Sequence, residues 1–159
     1  MRLQQSRRDL SPQSVPSDAI QRAWVALGRT APAVQDSVED ALKAAEFPPL
    51  AWYTVLWEIE RTGAPQRPRD LAIPLFIPRY ALSRLVDRME ADGLVKKIRC
   101  EEDARGHLLD LTEKGRRLRR DMWAIYAPAM QAAMSRITDA EAVELARLLR
   151  KLSGLDDGD

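Results

Sequence analysis

The stretch SRLVDRMEADGLVKKIRCEEDARGHLLDLTEKG, residues 83–115, decides the fold. Leu85, Val86 and Met89 recur at helical spacing, and Gly93 follows as a helix stop. The segments LVKKIRC and HLLDL then alternate apolar with charged residues on either side of the turn EEDARG, which predicts a β-hairpin. Thr112 and Glu113 begin another helix, so the stretch reads as helix, hairpin, helix.

Two short helices are expected on the N-terminal side of the hairpin. Pro68 is a favourable first-turn residue and begins the first of them, which Pro74 should bend or end. Pro78 starts the second, which runs to Asp92 and turns its basic side outward. Two short helices joined by a tight turn predict a helix-turn-helix, and the hairpin that follows is its wing.

The flanking segments are expected to be helical, apart from a flexible polar tail. Ser17 caps a long N-terminal helix that Pro32 should kink or split in two. A helix over 50–62 stops at Gly63, and a late helix opens with a capping box formed by Thr138 and Glu141. The fold class is mainly α with a small β-wing, a winged helix-turn-helix core flanked by N- and C-terminal helices. The predicted regions are a tail at 1–16, an N-terminal dimerisation helix at 17–46, the winged helix-turn-helix at 47–111 and C-terminal dimerisation helices at 112–155.

Composition excludes several classes of protein. The 159 residues carry a net charge of +1, with 45% hydrophobic and 31% charged residues, and no apolar run approaches the length of a membrane span. We expect a cytoplasmic protein with no membrane association. The single cysteine, Cys100, and the single histidine, His107, disfavour a disulfide framework, a metal site and a cofactor. An enzyme would need a nucleophile, a base and a shaped site, and no such set is visible.

Basic residues concentrate around the second helix of the helix-turn-helix. The segment 78–99 holds six basic residues against three acidic ones, Asp87, Glu90 and Asp92. Arginine, serine and tyrosine on such a helix can reach base edges in the major groove of DNA. The alternative for Tyr80 and Arg84 is packing against neighbouring backbone or ion pairing within the helix. The candidates for DNA contact here are Arg79, Tyr80, Ser83 and Arg84 on the helix, and Lys97 on the first wing strand.

These motifs resemble the winged-helix core of the MarR family of bacterial transcription regulators. The resemblance lies in the helix LSRLVDR at 82–88, the link Gly93-Leu94-Val95, the Asp103-x-Arg105 pair of the wing and LTEKG at 111–115. It implies an obligate homodimer that grips a pseudo-palindromic operator in double-stranded DNA and acts as a repressor. It also implies that Arg105 enters the minor groove while Asp103 holds it extended. A winged helix that contacts only proteins remains the alternative.

Dimerisation and ligand binding are two further expectations. Apolar stripes at both chain ends, including Trp24 and Leu149, exceed what one small winged domain can cover, although a self-contained core is the alternative. MarR-like proteins often bind small aromatic or anionic effectors beside their dimerisation helices. Aromatic residues at helical spacing are otherwise core residues. The candidates for such a pocket are Trp24, Trp52, Tyr53 and Trp57.

Overall fold

The computed structural model describes residues 15–75, 79–99 and 107–154. For residues 72–75 and Arg79 it describes the backbone and not the side chains. The chain divides into two compact units, residues 1–33 and 34–159. No helix in the described part of the chain is long and apolar enough to cross a membrane. The elements are α1 (Asp18–Ala44), α2 (Leu50–Thr62), α3 (Pro68–Leu75), α4 (Arg79–Ala91), β1 (Val95–Arg99), β2 (His107–Leu111), α5 (Glu113–Ala133) and α6 (Asp139–Ser153).

The first helix is continuous through its proline. Ser17 caps α1 as predicted, since its hydroxyl accepts a hydrogen bond from the amide of Ile20 at 3.3 Å. Helix α1 runs on past Pro32 without a break, which rules out the split that was one of the two expected outcomes. The carbonyl that the proline ring crowds belongs to Gly28, four residues earlier, and a glycine backbone can tilt this carbonyl outward without breaking the helix. Helix α3 includes Pro74 and ends one residue after it, at Leu75.

The winged helix-turn-helix encloses the main core. Leu82, Val86 and Met89 of α4 are buried, and Leu85 packs against them, as the apolar pattern predicts. Trp57 of α2 is 43% exposed, because it lies on the side of α2 that faces away from this core. The buried cluster comprises Val55, Leu56, Ile59, Leu71, Leu82, Val86, Met89, Leu94, Val95, Leu109 and Leu111.

The wing is a two-stranded antiparallel hairpin with one further backbone attachment. Strands β1 and β2 pair in the register Val95 to Leu111 and Lys97 to Leu109. Gln66, in the connection between α2 and α3, bridges to Leu109 through two backbone hydrogen bonds of 2.9 and 2.7 Å. The sequence did not indicate this bridge, because a single paired residue has no periodicity. It ties the wing to the start of the helix-turn-helix.

A joint of backbone contacts connects the base of the wing to α5. The Thr112 hydroxyl donates a hydrogen bond to the Gly93 carbonyl at 2.7 Å and accepts one from the Gly115 amide at 3.1 Å. Gly115 lies so close to Leu94 that a Cβ at this position would overlap the Leu94 carbonyl oxygen. The Lys114 ammonium donates to the Asp92 carbonyl at 2.7 Å. The TEKG sequence, residues 112–115, therefore forms a close-packed junction between the hairpin and the helix.

The last helix is well capped and poorly covered. Thr138 and Glu141 form the predicted capping box, and Gly154 ends α6 with a φ of 72°. Hydrogen bonds from the Thr138 backbone and side chain lower the pKa of Glu141. Nevertheless no residue of α6 is buried, and its large apolar side chains are exposed in the single chain. The exposed apolar residues of α6 are Val143, Leu145, Leu148, Leu149 and Leu152.

Candidate nucleic-acid interface and aromatic pocket

One face of α4 is polar and open to solvent. Tyr80, Ser83 and Arg84 lie at three- and four-residue steps along it, and Tyr80 is 71% exposed. Arg79 begins the helix, but its side chain lies outside the described part of the structure. The face therefore presents a phenol, a hydroxyl and a guanidinium without any apolar cover. These are groups that hydrogen-bond to base edges and phosphates.

Lys97 connects the wing to α4. Its ammonium lies 2.6 Å from the Glu90 carboxylate and 2.9 Å from that of Asp87. The hydrogen bonds to Glu90 and Asp87 raise the pKa of Lys97. Among the described residues, Asp87 thus pairs with Lys97 of the wing, and not with Arg84 of its own helix. The charge of Lys97 is compensated within the chain.

The tip of the wing falls outside the described residues. This applies to Asp103 and Arg105, the pair predicted to reach the minor groove, and to Cys100. Both strands that lead to the tip are described, and they project from the C-terminal end of α4. The roles of Asp103 and Arg105 stay predictions from the sequence.

A further group of basic residues lies near the start of α5, in the sequence KGRRLRR at 114–120. These residues do not form a single positive surface. Arg116 donates to the Leu111 carbonyl at 2.9 Å, and Arg120 pairs with Glu113 at 3.3 Å. Arg119 is largely buried against α2, where it forms an ion pair with Glu60. Most of these charges stabilise the packing of α5, so they add little to an outer basic face.

A cavity of about 570 Å³ opens between α2 and α5. Its walls are mainly aromatic: the Tyr53 and Trp123 rings stack at 6.0 Å between centroids, and Tyr126 meets Tyr53 edge-on at 4.9 Å. A cavity of this size and composition suits a small ring-bearing molecule. The lining residues are Tyr53, Thr54, Trp57, Arg119, Trp123, Tyr126 and Met130.

Arg119 is the only cation among the lining residues described. Its guanidinium lies 5.6 Å from the centre of the Trp57 ring and beside the Glu60 carboxylate. The Arg119 Nε is buried, and it is the atom that contacts the Glu60 carboxylate. Burial raises the pKa of Tyr53, and a hydrogen bond with Arg119 opposes this. The cavity wall therefore holds a buried cation that is paired with one carboxylate.

Sequence reasoning found part of this pocket. Tyr53 and Trp57 line it, whereas Trp52 packs against the core of the winged domain. Trp24, in the N-terminal unit, is 76% exposed. The α5 wall was missed, although its steps of four, three and four residues place it on one helical face. The missed residues on α5 are Arg119, Trp123, Tyr126 and Met130.

Metal ligation has no support in the described part of the chain. No group of three or more histidine, cysteine, aspartate or glutamate residues lies close enough together there to hold an ion.

Comparison with known proteins places this architecture in context. The model of the MarR family matches residues 48–106. AbsC, a MarR family transcriptional regulator from Streptomyces coelicolor, is 23% identical over 91% of this chain and 99% of its own, with a TM-score of 0.78. Sco3205 from the same organism, a MarR family regulator solved in complex with DNA, is 25% identical over 91% of this chain and 96% of its own, also at 0.78. The organohalide-sensing regulator RdhR-CbdbA1625, in its 2,4-dichlorophenol-bound form, is 22% identical over 92% of this chain and 89% of its own, at 0.75.

Proposed function

We propose that this chain is a MarR-family transcriptional regulator that represses transcription as a homodimer on a pseudo-palindromic operator. The observation that carries the proposal is the open polar face of α4 with the wing hairpin bridged to it. A helix fits the major groove, and a hairpin beside it can reach the adjacent minor groove. The DNA complex of Sco3205 supports this use of the fold.

The DNA contacts divide between the helix and the wing. In the proposed complex Tyr80, Ser83 and Arg84 of α4 face the major groove, together with Arg79 at the start of the helix. Arg105 occupies the minor groove with Asp103 holding it in place, as the resemblance implies. The minor groove attracts a guanidinium through its negative potential.

The proposed dimer rests on apolar surface that a single chain leaves exposed. In α6, Val143 is 69% and Leu152 is 71% exposed. In the N-terminal unit, Ile20 and Trp24 are exposed as well. Exposed apolar residues in this number are unusual on a monomer, and a second copy of the chain would cover them symmetrically. Two protomers then present two reading helices about 34 to 36 Å apart, one turn of the duplex.

The aromatic cavity is the proposed effector site. RdhR-CbdbA1625 binds 2,4-dichlorophenol, which supports a ring-shaped ligand in this fold. The buried guanidinium of Arg119 favours a ring that carries an anionic group, which would compete with Glu60 for it. Ligand binding would then favour a spacing of the two winged domains that does not fit the operator, and so release the DNA.

The DNA-binding proposal is tested with duplexes selected by the protein from fragments of its source genome. Arg84→Ala should weaken binding to a selected duplex by about 1 to 3 kcal/mol, as the loss of a base contact does. Arg136→Ala removes the same charge from an exposed turn between α5 and α6 and should have little effect. Equal losses for the two variants, measured by fluorescence anisotropy at one salt concentration, would remove α4 as the reading helix.

The effector proposal needs a separate measurement. Calorimetric titration with benzoate and with phenol compares an anionic and a neutral ring of similar size. Arg119→Met should reduce benzoate affinity about tenfold or more and change phenol affinity much less, because one charge-assisted hydrogen bond is lost. Equal loss for both ligands would mean that Arg119 shapes the cavity and does not bind the anion.

A winged helix that contacts only other proteins is the second candidate. Its support is the compensation of Lys97 and of several α5 arginines, which reduces the positive surface offered to DNA. Direct DNA binding loses affinity steeply with salt, because phosphate contacts release counterions. Absence of any duplex binding at low ionic strength would favour the protein-binding module.

A further inference from the structure

Strand alternation gives two adjacent lysines of the wing different partners. Lys97 shares a face of the hairpin with Val95, and this face is turned toward the core and α4. Its ammonium reaches Glu90 and Asp87 at 2.6 and 2.9 Å, and its side chain is only 29% exposed. Lys96 lies on the opposite face and pairs across the hairpin with Asp110 at 3.1 Å. Of these two lysines, Lys97 is the one that links the wing to α4 through ion pairs.

The link is attached to the face of α4 that is proposed to read DNA. Asp87 follows Ser83 and Arg84 by four and three residues, so the three share one side of the helix. Glu90 follows Asp87 by three residues and lies at the edge of the same side. Both carboxylates are consequently close to where a phosphate backbone would run.

We propose that Lys97 is a positioning residue, which with Asp87 and Glu90 fixes the wing against α4 so that hairpin and helix enter neighbouring grooves in one register. The inference rests on the proposed DNA-binding function and concerns how it is achieved. It differs from the direct DNA contact that the sequence predicts for Lys97. A wing free to swing against α4 would lose conformational entropy on binding, whereas a bridged wing is already placed.

The carboxylates of Asp87 and Glu90 allow a positioning role of Lys97 to be distinguished from a direct DNA contact. The two roles predict changes of opposite sign in DNA affinity when these carboxylates are neutralised. Removing the charges of Asp87 and Glu90 deletes two negative charges next to a polyanion, so electrostatic attraction alone would strengthen DNA binding. If the bridge positions the wing, the same change weakens binding to the correct sequence even though the surface becomes more positive. Two perturbations of opposite charge, at Lys97 and at its two partners, then act in the same direction on specificity.

The experiment compares dissociation constants for two duplexes over a range of salt concentrations. One is a duplex that the parent protein selects from a random-sequence pool, and the other is a scrambled duplex of equal length and composition. The proteins are the parent, Lys97→Gln, Lys97→Arg and the double variant Asp87→Asn/Glu90→Gln. Lys96→Gln is the matched control, since it removes the same charge from the neighbouring residue without touching α4. Thermal unfolding of each variant checks that the fold is retained.

The expected readout is the ratio of the two dissociation constants. Lys97→Gln and Asp87→Asn/Glu90→Gln should each lower this specificity ratio roughly 3- to 10-fold, as expected for two partly exposed ion pairs. The double variant should bind the scrambled duplex more tightly than the parent does. Lys97→Arg should restore most of the ratio, and Lys96→Gln should leave it nearly unchanged.

Three results would overturn the inference. A double variant with an unchanged or higher specificity ratio, combined with a Lys97→Gln variant whose salt dependence falls by about one phosphate contact, would make Lys97 a direct contact. A loss with Lys96→Gln equal to that with Lys97→Gln would reduce the effect to net charge. A parent protein that does not distinguish selected from scrambled DNA would remove the proposed function itself, and this outcome is visible before any variant is measured.

Discussion

Replacing Thr112 by valine should loosen the joint between the wing and α5. The hydroxyl of Thr112 has two functions: it caps α5 by accepting from the Gly115 amide at 3.1 Å, and it donates to the Gly93 carbonyl at 2.7 Å. Valine has the same shape and neither capability. The change therefore removes hydrogen bonds while it conserves volume and β-branching.

The magnitude follows from these two bonds. Loss of an N-cap side chain costs about 1 kcal/mol, and loss of a second side-chain hydrogen bond costs roughly another 1 kcal/mol. Thr112→Val should thus lower the free energy of unfolding by about 2 kcal/mol. Thr138 is the control: its hydroxyl caps α6 by accepting from the Glu141 amide at 3.3 Å and donates to the Glu141 carboxylate at 2.9 Å, but it lies exposed and does not touch the wing. Thr138→Val should cost about 1 kcal/mol.

Urea unfolding followed by circular dichroism gives both values. The protein concentration must be the same for all variants, because dissociation of the proposed homodimer would contribute to the measured stability. Thr112→Ser keeps the hydroxyl and should retain most of the parent's stability. If Thr112→Val costs no more than Thr138→Val, the bond to the Gly93 carbonyl contributes nothing to stability, and the reasoning about the joint is wrong.

Three further predictions concern other parts of the molecule. Gly115→Ala should destabilise the fold by about 1 to 3 kcal/mol in the same urea assay, because the added methyl overlaps the Leu94 carbonyl; a stabilised variant would contradict this packing. Since burial raises the pKa of Tyr53, the free energy of unfolding should fall as the pH rises above the usual tyrosine pKa. Tyr53→Phe should reduce that fall in unfolding experiments at pH 9 to 11, about one unit either side of the usual tyrosine pKa. Leu152→Glu places a charge on the exposed α6 face and should shift sedimentation toward the monomer without unfolding the chain; an unchanged dimer would move the interface elsewhere.

Elements with strong local signals were predictable from the sequence. The α4 stripe, the alternating wing strands, the Thr138 capping box and the Gly63 stop each depend on residues near one another in the chain. The split that was one expected outcome at Pro32 does not occur, since Pro32 removes one hydrogen bond from a helix of 27 residues that has many others. A sequence pattern shows a helix-breaking residue by itself. In the folded helix, the one hydrogen bond that this residue removes is outweighed by all the other contacts of the helix.

Contacts between distant segments were the part that could not be predicted. The charge count alone made Lys97 a candidate for DNA contact, and only the register of the hairpin against α4 shows that its ammonium meets Asp87 and Glu90. Similarly, Trp52 and Trp57 have equal chemical character, and the packing of α5 on α2 decides which of them lines the cavity. Residue type identifies candidates for a site, while partners from other elements assign their roles.

Helix α5 contributes both to the cavity and to the base of the wing, and this gives the proposed effector a physical route to the DNA-binding element. Arg119, the first α5 residue of the cavity wall, lies seven residues after Thr112, about 10 Å along the helix. A ligand can shift an equilibrium only through a difference in its affinity for two states. A ring inserted between α2 and α5 acts on the packing of these two helices, and the Thr112 hydroxyl and the close contact at Gly115 connect α5 rigidly to the hairpin. Displacement of α5 from α2 would therefore move the base of the wing as well. This one helix is then sufficient to couple the cavity to DNA binding.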